Sequence, residues 1–351
     1  MAKRWTQRPP GSTWGDWGDD DELGRINLLT SEKVLQGVHE VEAGITFCLS
    51  LPLDYPGGTA LNQRRYPPLL APTEDLDGNP ATFYNVHQKD IPKYGSPRHV
   101  DVWADDVVTL SLQYSTQWDS LAHAGAEFDA DGDGVEEAVF YNGYRAGTDL
   151  VGPKVDARGD GGPSSCFAHH LGLEHMAFHG VQGRGVLVDL AHHLGHEWRG
   201  VDLATLQEIM RADGVVVEPG DMVLFHTGFA TRVLEWNREP DPVEIHRTCT
   251  YLDAYDPALR EWIADSQIAA LVADNYAVEG MVGKRSEGRH SLLPIHHLCL
   301  FELGVPLGEM WYLHELATWL REHGRSRFLL TAPPLRLPGI VGSPLTPVAT
   351  V

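Results

Sequence analysis

Three short apolar runs constrain this chain most: Gly185-Val-Leu-Val-Asp-Leu190, Asp221-Met-Val-Leu-Phe-His-Thr-Gly228 and Ile268-Ala-Ala-Leu-Val-Ala-Asp274. Each reads as a buried strand that stops at a polar or turn-forming residue. The spacers between them carry helical patterns, over Leu203 to Ala212 and over Pro257 to Ser266. Strands that alternate with helices build an α/β protein. A further helix is expected over Leu171–His179, closed by Gly180, and another from Ser31 to Val41, capped by Thr30 or Ser31.

Upstream of residue 100 the pattern is different. Gly, Pro and Trp are frequent, as in Trp14-Gly-Asp-Trp-Gly-Asp-Asp-Asp-Glu-Leu-Gly-Arg-Ile-Asn27, and prolines interrupt Tyr66-Pro-Pro-Leu-Leu-Ala-Pro-Thr73. A long irregular segment is expensive unless it packs over something. Covering an active site and wrapping the periphery are both open. The expectation is one domain over 1–351, with 1–100 an extension packing over the site and 101–351 the catalytic core. Apolar residues make 42% of the 351 and aromatics 9%, enough for a sizeable core.

Charge excludes some partners. Lys and Arg number 27 against 49 Asp and Glu, a net of −22. Such a chain repels phosphate backbones and anionic lipid heads, so nucleic acid and membrane surfaces are poor partners. The N-terminus has no apolar signal-like run, and the apolar runs fall well short of the roughly 18 residues that span a bilayer. The four cysteines, Cys48, Cys166, Cys249 and Cys299, are widely spaced and read as free thiols of a cytoplasmic protein.

The segment Gln113-Tyr-Ser-Thr-Gln-Trp-Asp119-Ser-Leu-Ala-His123 gathers amides, hydroxyls, a carboxylate and an imidazole within eleven residues, after the β-like run Val107–Leu112. Asp119 and His123 would share a face if the segment were helical. A carboxylate can then orient the imidazole as a general base. The alternative is a capped helix start with an exposed His. His296 and His297 form a second cluster, and Glu309 follows about a dozen residues later. A helix and a turn between them would let a His and Glu309 converge. His175 and His179 have zinc-like spacing without the zincin Glu, and the pairs His169-His170 and His192-His193 have no third ligand at a telling spacing. Asp129-Ala-Asp-Gly-Asp-Gly134 begins like a calcium loop, but Phe140 stands where the loop needs Glu, so an acidic turn is expected. No nucleophile elbow, phosphate loop or other organic-cofactor motif is present.

In the order of these segments the chain resembles the cyclase superfamily, which includes bacterial kynurenine formamidases and isatin hydrolases. That family carries His-x-Gly-Thr-His-x-Asp-x-x-x-His; here the frame holds Gln113, Thr116, Gln117, Asp119 and His123, closest to a sub-branch with Gly-Thr-Gln-Trp-Asp. The resemblance continues through Trp17–Thr30, Tyr141-Asn-Gly143, Gly183–Asp189, Gly220–Gly228, Asp274–Glu279, His296–Gly304, Glu309 and Leu313–Ala317. It implies a swivelling β/β/α fold with a mixed sheet, a homo-oligomer (dimer or tetramer), and a small-molecule substrate. It also implies a divalent metal held by Asp119, Glu309 and His296, which follows Pro-x as in many relatives, with His297 the alternative one position on and His123 as acid and base. Both histidine ligands of the family's signature are glutamine here, Gln113 and Gln117, and an amide oxygen is a weak neutral ligand. Three strong ligands suffice for zinc, an oxygen-rich set suits manganese or magnesium, and a metal-free site is the third option.

The reaction implied is hydrolysis of an amide, imide, formamide or lactone carbonyl. Without metal, His123 would activate water directly, with Thr116 and Gln117 donating to the oxyanion at roughly 3 kcal/mol per donor. Trp118 and the aromatic N-terminal region suggest a flat or cyclic substrate. A lyase or ring-closing cyclase, and a metal-less binding protein, are the alternatives.

Overall fold

A computed structural model describes residues 4–74, 95–154, 165–280 and 288–351, and the backbone of a two-residue strand at 86–87. Its centre is a nine-stranded mixed sheet. Across it lie Thr46–Cys48, Val348–Thr350, Arg327–Thr331, Gln182–Asp189, Met222–His226, Ala270–Ala273, Leu307–Glu309, Gln117–Asp119 and Gly342–Pro344. The four strands from Gln182–Asp189 to Leu307–Glu309 run parallel, and antiparallel strands flank them on both sides. The expected α/β class is therefore observed, with a mixed sheet.

The parallel strands are apolar throughout because both faces are covered. Val186, Val188, Val223, Phe225, Leu271 and Ala273 face one core, and Leu187, Met222, Leu224, Ala270 and Val272 face the other. Their connections are amphipathic. Helix Leu203–Ala212 buries Leu206 and Ile209 and is capped by the Asp202 side chain. Helix Pro257–Asp265 buries Leu259 and Ile263 under an Asp256 cap. No described helix is long and apolar enough to cross a membrane.

Helix Ser31–His39, capped by Thr30, lies across the strand Gln182–Asp189. Contact is close: a Cβ on Gly37 would stand 2.7 Å from the Gly183 carbonyl oxygen. A buried ion cluster fixes the helix there. Asp221 accepts from Lys33 Nζ at 3.0 Å and from Arg184 Nε and Nη2 at 2.9 and 3.0 Å. The Glu218 backbone N–H adds a fourth bond at 2.8 Å.

The run expected to be a strand over Val107–Leu112 is one only at Asp106–Thr109. It pairs with Leu69–Pro72 in a separate two-stranded ribbon. Leu69, Leu70, Val107 and Val108 are all exposed there. Successive strand residues point to opposite faces, so both faces of the ribbon are apolar and uncovered. The calcium-like turn is closed by its own backbone: Asp129 accepts from the N–H groups of Gly132 and Gly134.

Candidate active site

Ligands in open α/β sheets bind beyond the carboxyl ends of the parallel strands. Glu309 is the last residue of one such strand, and the antiparallel register sets Gln117 directly opposite it. Side chains alternate along a strand, so Gln117 and Asp119 share the face on which Glu309 lies. Gln117 Nε2 donates to Glu309 Oε2 at 2.9 Å and lies 3.4 Å from Asp119 Oδ1. All three side chains are buried.

After Asp119 the chain turns instead of entering a helix. The His123 N–H donates to the Ser120 carbonyl, and the turn brings His123 Nε2 to 3.7 Å from Asp119 Oδ2. The proximity expected from a helical face thus arises from a strand and a tight turn. His123 is partly open to a cavity of about 350 Å³ whose lining includes Gln113, Tyr114, Tyr276, His296 and Glu309. Gln113 Nε2 sits 3.5 Å from His123 Nδ1, so its amide meets the imidazole. That side chain occupies the space a Cβ on Gly342 would need, 2.1 Å from Gln113 Nε2.

His296 enters from the opposite side. It ends the short helix Pro294–His296, which runs on as a π-helical turn over His297–Leu303. Its Nε2 is 3.3 Å from Glu309 Oε1, and its ring centroid is 6.4 Å from that of His123. His297 also lines the cavity but pairs with Glu302 at 3.2 Å, so of the two histidines His296 is the one grouped with Asp119 and Glu309.

Glu279, given no separate role from the sequence, is the residue that aims His296. One carboxylate oxygen accepts from His296 Nδ1 at 2.9 Å and from its backbone N–H at 2.8 Å; the other accepts from the Ile295 N–H at 3.0 Å. This fixes Nδ1 as donor and turns Nε2 toward Glu309. The preceding Ala277 and Val278 have φ of 71° and 57°. A left-handed β-branched residue is strained and persists only where its surroundings determine it. Asn275 supplies part of that constraint by donating to the Thr250 and Val278 carbonyls. The signal for Glu279 was available as a carboxylate partner for a ligand-type histidine. We expect Glu279→Gln to weaken zinc or manganese binding about 10–100-fold, read by competition with a chromogenic chelator. Unchanged affinity would remove the positioning role.

Two expectations are corrected. Thr116 has no proton for an oxyanion: its hydroxyl donates to the Met310 carbonyl at 2.6 Å and accepts from the Leu51 N–H at 2.9 Å. Trp118 does not line the cavity. It points to the other face of its strand, packs on Trp311 at 5.0 Å and donates to the Ala332 carbonyl. Tyr114 and Tyr276 supply the aromatic wall instead. His175 and His170 pair with Glu22, and His193 with Asp213.

The electrostatics are those of a buried acidic centre. Burial, then the neighbouring Glu309, raises the Asp119 pKa against the opposing pull of His123. Glu309 is held below its ordinary value although burial pushes it up, because His296 bonds and opposes its charge. Burial alone would lower His296, but Glu279 and Glu309 carry it up to about 10. Ligand atoms of Asp119, His296 and Glu309 lie within 4.8 Å of one another. Gln117 Oε1 is buried without a hydrogen-bond partner, and Glu309 Oε1 has only the His296 Nε2 contact at 3.3 Å. Two carboxylates, an imidazole aimed by a third carboxylate and an orphaned amide oxygen form a donor set that suits a divalent cation.

A mixed sheet with such a centre at a parallel-strand end defines an α/β protein with an enzyme-like pocket. The Cyclase family model matches residues 48–280, and the chain belongs to the cyclase family. A crystal structure described as a novel cyclase is 30% identical, with 98% of this chain and 100% of that chain covered and a TM-score of 0.71. Isatin hydrolase A from Labrenzia aggregata, bound to benzyl benzoate, shares the fold at 13% identity and a TM-score of 0.51, covering 91% and 98% of the two chains. Isatin hydrolase A from Ralstonia solanacearum does so at 14% and 0.50, covering 87% and 91%. A search of the curated proteins found no match.

Proposed function

We propose that this chain is a metal-dependent hydrolase. It opens a carbonyl C–N bond (amide, imide or formamide) or a lactone in a small cyclic or aromatic substrate. The observation that carries the reading is the buried Asp119–Glu309–His296 group beside a cavity-facing His123. Zinc or manganese would be held by Asp119, His296 and Glu309, with the Gln117 amide beside them; Gln113 stands further out, against His123. When bound, the ion supplies a Lewis acid and an acidified water.

The chain's own residues do the rest. Tyr114 and Tyr276 hold a flat ring. His123, held at Nδ1 by the Gln113 amide with its oxygen turned to the ring, takes a proton at Nε2 from the attacking water, with Asp119 3.7 Å away to stabilise the imidazolium, and returns it to the departing nitrogen or oxygen. The isatin hydrolases of the same fold support hydrolysis of a cyclic amide. The same reading carries a cytoplasmic homo-oligomer whose subunit is one domain over 1–351.

The test is turnover of isatin, aryl formamides and small lactones by protein loaded with zinc or manganese, followed by product mass. A product one water heavier, lost on chelation and regained on adding the ion, is expected. The 30% identical cyclase favours a second reading, ring closure or elimination through the same His123. An isomeric product, or one a water lighter, would establish that reading and overturn hydrolysis.

A further inference from the structure

The cavity carries both signs of charge: Glu309, Arg64 and Arg65 all line it, and the Arg65 charge reaches the buried Asp119 and Glu309. In a chain with 49 acidic and 27 basic residues, adjacent arginines facing a pocket need a reason. Elsewhere such side chains take carboxylate partners, as Arg184, Arg232 and Arg238 do. Among the described residues no carboxylate pairs with Arg64 or Arg65. The Arg65 side chain instead donates one bond, from Nη1 to the Gln113 main-chain carbonyl at 2.7 Å. That carbonyl belongs to the residue whose side chain touches His123.

We propose that Arg65, with Arg64 beside it, receives a carboxylate carried by the substrate. The substrate class is then a small cyclic or aromatic amide or lactone bearing an acid group. This rests on the hydrolase reading, because it takes the group around Glu309 and His123 as the reacting site. A guanidinium fixed by one bond to a rigid carbonyl keeps its remaining N–H donors in a planar fork that matches a carboxylate. A net charge of −22 and two buried carboxylates repel an incoming anion, so an acidic substrate needs a local cation to enter.

Benzoate and benzamide test this, as ring-matched probes that differ in charge and that a hydrolase of this kind need not turn over. Binding to the metal-loaded protein is measured by ligand-observed NMR titration. Benzoate is expected to bind more tightly than benzamide. Its Kd should rise about tenfold or more in Arg65→Gln, with benzamide unchanged and Arg65→Lys intermediate. Unchanged benzamide binding also shows that the variant is folded. Benzoate binding that survives Arg65→Gln would place the anion on the metal and overturn the proposal. Equal weakening of both probes would make Arg65 a structural support and overturn it too. The same spectra show whether benzamide releases benzoate; where it does not, the binding results are independent of whether hydrolysis itself is found.

Discussion

Replacing His123 with alanine is expected to lower kcat/KM by about 10²–10⁴-fold, the usual contribution of a positioned general acid–base. Metal content and the unfolding midpoint should stay close to wild type. The argument is positional. His123 is a quarter exposed at the cavity, whereas the Asp119, His296 and Glu309 side chains are almost wholly enclosed. Its partners are an acid at 3.7 Å and an amide at 3.5 Å, and its removal leaves Asp119 the balancing charge of His296. An effect on kcat with KM little changed would mark a group acting in the chemical step. Full turnover in His123→Ala would sink the mechanism, with or without a metal. Loss of bound metal in this variant would instead make His123 a ligand.

The second large effect concerns stability. Asp221→Ala is expected to cost about 3–5 kcal/mol, because it leaves Lys33 and Arg184 enclosed without their shared counter-ion. Both cations are more than nine-tenths buried, at 6% and 4% exposure. Arg184 keeps a fallback in Glu218, 2.7 Å away. Lys33 has Asp221 as its carboxylate partner, so the helix Ser31–His39 should loosen first. Urea unfolding of the variant and faster amide exchange in that helix would show it. A loss below about 1 kcal/mol would mean that the cluster contributes no more than an exposed ion pair.

Much of the architecture was legible because the local signals agreed with the fold. The runs at 185–190, 221–228 and 268–274 are strands for the reason that exposed them: a strand covered on both faces is apolar at every position. The helix Leu203–Ala212 follows from its apolar spacing and the Asp202 cap. The Gln113–His123 segment was misread in shape because a three-residue strand has too little length to show a period. What makes Gln117–Asp119 a strand is its pairing with Leu307–Glu309, about 190 residues away, and no local pattern reports that. The β-like run at Asp106–Thr109 shows the limit of that signal. Its apolar composition is the same, and only tertiary context leaves it uncovered. At the site, the family resemblance favours His296 over His297 because it follows Pro294-x; the carboxylate of Glu279 supplies the physical reason, and it acts through a backbone bend that no composition encodes. Arg65 was invisible because its meaning depends on which wall it faces.

The register opposite Glu309 has a consequence for how such a protein can diversify. Membership of the reacting group depends on parity along one strand: Gln117 and Asp119 look inward and Trp118 outward. A slip of one residue would exchange the two sets, putting an indole where the carboxylate stood and the acid into the core. Gradual adjustment by insertion or deletion is therefore closed to the strands that hold the ligands. The loop residues at 56–65 and 291–293 that also line the cavity are under no such constraint. Inherited change can thus redraw what the pocket accepts while the chemistry beneath stays in place.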